Sequence, residues 1–146
     1  MTPSNPLRFA APLMLLAVAA CHSAAERVPG DAADHHPWNG IAADDTVHFL
    51  GTEPFWGGRV GADGLTYTTP ENAKGETVPV SRFAGRGGVS YSGTLKAGAV
   101  TLAVTPTQCT DGMSDARYPF AATLQIGSET RSGCAWTERR PRIKGE

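Results

Sequence analysis

Val89-Ser90-Tyr91-Ser92-Gly93-Thr94-Leu95-Lys96-Ala97-Gly98-Ala99-Val100-Thr101-Leu102-Ala103-Val104 is the most informative segment of this 146-residue chain. Val89, Tyr91 and Leu95 alternate with Ser and Thr, as in a strand buried on one side only. Val100, Leu102 and Val104 share one face at a period of two. Lys96-Ala97-Gly98 between them reads as a turn. The segment is therefore a hairpin of two half-buried strands, and its pattern recurs on both sides.

Upstream, Val47-His48-Phe49-Leu50 is a short β-type run, and Phe55-Trp56 leads through Arg59-Val60 into Ala62-Asp63-Gly64. Leu65-Thr66-Tyr67-Thr68 returns, and Asp-Gly between β-formers signals a hairpin. Thr77 to Phe83 is a further strand, which Pro79 restricts to a sheet edge or a bulge. Downstream, Tyr118 to Ile126 places Phe120, Ala122, Leu124 and Ile126 on one face. Gly127-Ser128-Glu129 turns into a last strand, Thr130 to Trp136. Gly 17 and Pro 11 suit such a turn-rich chain. No segment after Cys21 carries a capped helix with a 3.6-residue period. The expectation is an all-β fold: a small antiparallel meander barrel of about eight strands over residues 47–138, since nearly every connection reads as a hairpin.

Residues 1–20 have a different character. Arg8 precedes the apolar run Phe9 to Ala20, too short to span a bilayer and suited to a signal-peptide core. The run ends in Val18-Ala19-Ala20-Cys21, which resembles the lipobox of bacterial lipoproteins. That resemblance implies cleavage before Cys21 and acylation of its sulfur and its new amine. Several acyl chains, at about 0.8 kcal/mol per buried methylene, hold a domain firmly to a bilayer. The alternative is a plain secretory signal that leaves Cys21 as a thiol. His22 follows the cysteine where an Asp would resemble an inner-membrane retention signal, so the expected location is the outer membrane, facing the periplasm. Cleavage removes Arg8 and no acid, leaving 12 cations against 14 acids, a charge of −2. That balance excludes the clustered Lys and Arg of a nucleic-acid-binding surface. Residues 21–46, with Pro29, Gly30, Pro37 and Gly40, read as anchor and flexible tether, in which Trp38 and Ile41 are the residues suited to dock on the barrel. Residues 139–146 read as a frayed basic tail.

With Cys21 assigned to lipid, Cys109 and Cys134 remain. In an oxidising compartment they are expected to pair and close a loop of about 25 residues. Two free buried thiols are the alternative, and two cysteines without a matching His pair make a poor zinc site.

Two segments could carry function. In Glu53-Pro54-Phe55-Trp56, adjacent aromatics on a strand point to opposite faces, so one enters the core and the other meets solvent or a partner. Trp56 reads either as a plug at the barrel floor or as part of a contact rim beside Glu53. In Cys109-Thr110-Asp111-Gly112-Met113-Ser114-Asp115-Ala116-Arg117-Tyr118-Pro119, Asp111-Gly112 suits a tight turn capped by Ser114 or Asp115. Ser114 has no base in context, and two Asp residues fall short of a calcium loop. Asp34-His35-His36 in the tether lacks the second shell of a metal site. No catalytic residue, metal or cofactor is therefore expected.

Gly51 to Trp56, Cys109 to Asp115 with Tyr118-Pro119, and Gly133-Cys134-Ala135 together resemble a family of uncharacterised proteobacterial envelope lipoproteins, over about Phe49 to Trp136. The resemblance implies a compact β domain on a lipid anchor with a Cys109–Cys134 bridge, and brings no catalytic residues. A looser similarity of size and architecture is to META-domain heat-shock lipoproteins and membrane-bound lysozyme inhibitors. The expected function is a non-catalytic binding or interaction module for an envelope protein or small ligand, held to the membrane at Cys21. The alternative is an inhibitor of a cell-wall hydrolase such as lysozyme. Glu53, Trp56, Asp111, Ser114, Asp115 and Arg117 are the expected contact residues. On that reading Trp56→Ala or Asp111→Ala abolishes partner capture without changing the melting temperature.

Overall fold

The computed structural model describes residues 36–145. The expected signal peptide, Cys21, His22, Asp34 and His35 lie outside the described residues.

Among the described residues eleven strands follow in order: β1 Val47–Thr52, β2 Phe55–Gly61, β3 Gly64–Thr69, β4 Asn72–Val78, β5 Val80–Ala84, β6 Val89–Leu95, β7 Gly98–Thr105, β8 Cys109–Thr110, β9 Arg117–Tyr118, β10 Phe120–Ile126 and β11 Glu129–Thr137. Nine form one antiparallel sheet in the order β4-β3-β2-β1-β11-β10-β7-β6-β5, nearly closed into a barrel, while β8 and β9 pair as a small outer ribbon. The expected meander barrel is thus observed, with nine strands in place of about eight.

Pro79 accounts for part of the difference. The run expected as one strand from Thr77 to Phe83 starts at Asn72 and divides at Pro79. Its first part pairs with β3 and its second with β6, so both edges of the sheet belong to one continuous piece of chain. Proline has no N–H for a ladder, and an edge is where that loss is harmless. Across this seam the Lys96 N–H donates to Glu76 Oε1 at 2.8 Å.

Alternation sends Val47 and Phe49, Trp56 and Val60, Leu65, Val89 and Tyr91, Leu102 and Val104, and Phe120 and Leu124 to the interior, all buried. The barrel interior is filled by these side chains. At Gly64 the φ of 109° fits the Asp63-Gly64 turn, and a Cβ there would strike the Val78 carbonyl.

The two ends differ. At the end bearing Val47, Val89, Phe120 and Thr137, the segment before β1 closes the barrel. Ile41 is 1% exposed, the Trp38 ring meets Phe120 edge-on at 5.8 Å, and Arg82 Nη2 donates to the Ile41 carbonyl at 2.8 Å. The last tether residues therefore dock, as Trp38 and Ile41 suggested. The tail departs from expectation: Ile143 and Arg117 exchange two backbone hydrogen bonds of 2.9 Å, so its described residues are bound rather than frayed. Arg139 pairs with Asp44 at 2.9 Å and with Asp45 at 3.2 Å. Arg140 lies over the Phe120 ring and Arg142 over Trp136. The opposite end carries the Glu53-Pro54 turn, whose peptide is cis, with the Pro70-Glu71, Lys96-Ala97 and Gly127-Ser128 turns.

Candidate functional site

The segment between β7 and β10 leaves the barrel and lies against its outer face. Cys109 and Cys134 are joined by a disulfide with a Cα–Cα distance of 5.5 Å. Beneath it a second apolar cluster forms from Ala116, Tyr118 and Cys134, with Leu50, Cys109 and Trp136 packed around them. Leu50, Cys134 and Trp136 point outward from β1 and β11 and would meet water without the loop. Trp136 extends the cluster by stacking on His48, with ring centroids 5.3 Å apart.

Asp111 organises the loop. Its Oδ1 accepts the Met113 N–H at 3.0 Å and the Ser114 N–H at 2.8 Å. Its Oδ2 accepts the Ser114 hydroxyl at 2.7 Å and the Tyr118 phenol at 3.0 Å. Ser114 Oγ in turn accepts the Ala116 N–H at 3.2 Å. Gly112, at a φ of 71°, supplies the left-handed residue the turn requires. The Ser114 backbone and hydroxyl, then the Met113 N–H, hold the Asp111 carboxyl well below the ordinary carboxylate range.

A depressed carboxyl contributes stability that is complete above its unfolded value near 3.8 and is lost as pH falls through its folded value. Asp111→Asn is therefore expected to flatten the fall in melting temperature below about pH 4. An acid limb unchanged from the unaltered protein would overturn this assignment.

The Thr52 hydroxyl donates to the Asp111 carbonyl at 3.0 Å, tying the loop to the β1–β2 turn. Between loop, turn and β11 runs an open groove of about 520 Å³, lined by Thr52, Glu53, Thr110, Asp111, Met113 and Arg131 among others. A second hollow of about 300 Å³ continues from it under the disulfide, along Leu50, Ala121, Thr123 and Gly133. Arg131 donates through Nε to Glu129 at 2.8 Å and through Nη1 to the Tyr67 phenol at 2.6 Å, which holds its guanidinium on the inner side of the barrel mouth, beside the groove. Burial raises the Tyr67 phenol pKa, and the Arg131 charge opposes that shift.

The six expected contact residues are thus divided. Glu53 and Asp111 line one groove. Ser114 lies in the same loop with its hydroxyl bonded inside it. Asp115 and Arg117 sit where the loop returns toward the tail, and Arg117 pairs with Ile143. Trp56 is 4% exposed, in contact with Phe49 at 5.8 Å, while its neighbour Phe55 is 54% exposed. The plug reading of Trp56 holds, and unchanged melting on its removal is not expected. Arg131 and Tyr67 were absent from the sequence-based set. The signal for Arg131 was a charged residue in register opposite Leu124, on the inward face of β11.

Among the described residues no group of three His, Cys, Asp or Glu side chains gathers as metal ligands would. No protein-family model, curated protein or solved structure matches this chain. Fold and site together define a small, side-chain-filled antiparallel β-barrel that carries a disulfide-pinned loop and a polar groove on its outside.

Proposed function

We propose that this protein is a lipid-anchored envelope protein whose barrel is a non-catalytic binding module. Residues 1–20 direct secretion, Cys21 carries the lipid, and the domain faces the periplasm from the outer membrane. The groove between Glu53, Thr110, Met113 and Arg131 is the contact surface. The observation that carries this reading is the rigidity of the groove wall. Disulfide, Asp111 network and Thr52 bond fix the loop before any ligand arrives, so little ordering entropy opposes binding. The Asp111 carboxylate is engaged by four donors within its own loop, which suits a scaffold role better than proton transfer.

Native mass spectrometry of the protein extracted gently from its own membranes tests both parts. The expected result is acyl mass on Cys21 together with an added bound species, which is lost in a Glu53→Lys, Met113→Ala variant that keeps its lipid. An unmodified Cys21 would refute the anchor, and a bound species indifferent to the two substitutions would refute the groove.

The inhibitor reading is favoured by one feature, Met113, which is 69% exposed on the fixed loop and suited to enter an enzyme cleft. On that reading micromolar protein protects cell walls from lysozyme in a turbidity assay, and Met113→Ala abolishes the protection.

A further inference from the structure

The main sheet is not paired on both sides along the whole of β11. β10 follows β11 to its start, with Ile126 opposite Glu129, whereas β1 leaves it after Leu50 opposite Cys134. Beyond that point Gly51 and Thr52 pair only with Trp56 and Phe55 of β2, and Glu129 to Gly133 pair only with β10. The wall of the barrel therefore opens into a notch between β1 and β11. The β8–β9 ribbon borders the notch as a separate sheet and continues neither strand. Along the notch Glu129, Thr130 and Ser132 are exposed, and Arg131 and Gly133 are half-buried. The groove of about 520 Å³ lies on this edge, with Thr130, Arg131 and Ser132 on the β11 side and Thr52 and Glu53 on the β1 side.

We propose that the notch takes up an extended peptide segment of a partner protein, added as a strand antiparallel to β11 where β1 has left it, with a Lys or Arg side chain of the peptide on Glu53. The proposal rests on the groove being the contact surface and names what it binds. A strand inside a sheet directs the N–H and C=O of successive residues alternately to its two neighbours. With β10 on one side only, every second residue from Glu129 to Gly133 turns both groups toward the notch. That row, about 17 Å long, is matched by the backbone of another strand and by little else. Side chains then set specificity. Glu53 is exposed and forms no ion pair with another described residue, whereas Arg131 is already engaged by Glu129 and Tyr67. A cation on the peptide therefore meets an unengaged carboxylate. Met113, exposed across the groove, covers an apolar side chain of the same peptide.

The probe is a phage-displayed library of random linear peptides, selected against the full-length protein in detergent. Enriched peptides are expected to carry Lys or Arg at one fixed position and, once bound, to slow amide exchange within Thr130 to Gly133. N-methylation of every second peptide residue should weaken binding about tenfold or more, while methylation of the intervening residues leaves it unchanged. Glu53→Lys should cost a similar factor and remove the preference for a cation. The exchange and methylation arms use the unaltered chain, so they hold even where a variant folds poorly. Failure to enrich any sequence would overturn the proposal. Binders that respond to Glu53→Lys and Met113→Ala but show no alternation on methylation would leave the groove and remove the strand. Binders indifferent to both substitutions would count against the groove itself. A concentration-dependent dimer that protects the same amides without peptide would put a second copy in the notch and overturn the peptide assignment.

Discussion

Trp56→Ala is expected to lower the unfolding free energy by about 3–5 kcal/mol, the largest effect of any single substitution considered. The indole is 4% exposed and leans on Phe49, and its edge lies against Gly51 and Gly133, where a Cβ on either glycine would collide with it. Small residues on β1 and β11 thus form a slot for one large ring, and nothing adjacent can move in to fill it. Trp56→Phe should cost much less, because the buried Nε1 has no hydrogen-bond partner and its removal relieves a desolvated donor. Denaturant titration of the two variants checks this. Equal losses would mean that the indole N–H, rather than the ring volume, matters at this position.

Cys109→Ala with Cys134→Ala is expected to cost about 3.5 kcal/mol, the value the chain-entropy model assigns to a closed loop of this length. The structural consequence is local first. Without the crosslink the loop is held by the Asp111 network, the Thr52 bond and the contact of Tyr118 with Trp136, whose centroids are 5.5 Å apart. Leu50 and Trp136 then gain access to solvent. Calorimetry of the double variant, and of the unaltered protein under reductant, should give the same lowered transition. A double variant that melts with the oxidised protein would remove the crosslink from the list of stabilising features.

The strands were readable wherever an apolar face alternated with small polar residues, as in β6, β7 and β10. The opening of β4 was not, because Asn72, Ala73 and Lys74 are exposed at a sheet edge and bury no apolar residue that could mark a period. Pro79 was readable as an edge signal, while the joining of two edges through it depended on how the barrel is staggered. In the site, Asp111-Gly112 announced its turn through chemistry local to the chain. The grouping of Glu53 with Arg131 is set by register across β1 and β11, and no local pattern encodes that. The tail was misread for a similar reason: Pro141 and four cations suggest fraying, whereas Ile143 finds a partner in Arg117, 26 positions upstream.

The pairing of β1 with β11 joins the first and last strands, Val47 opposite Thr137 and Leu50 opposite Cys134. Most other neighbours in the main sheet are hairpins that form as soon as both arms exist. This one pair spans almost the whole domain and raises the contact order of an otherwise local topology, placing barrel closure among the slow steps of folding. A chain that crosses a membrane N-terminus first would hold β1 as an unpaired edge until its final strand arrives. During that interval the outward-facing Leu50 has a neighbouring strand on one side only, and the arrival of β11 supplies the second together with Cys134, the residue that pins the sheltering loop in place.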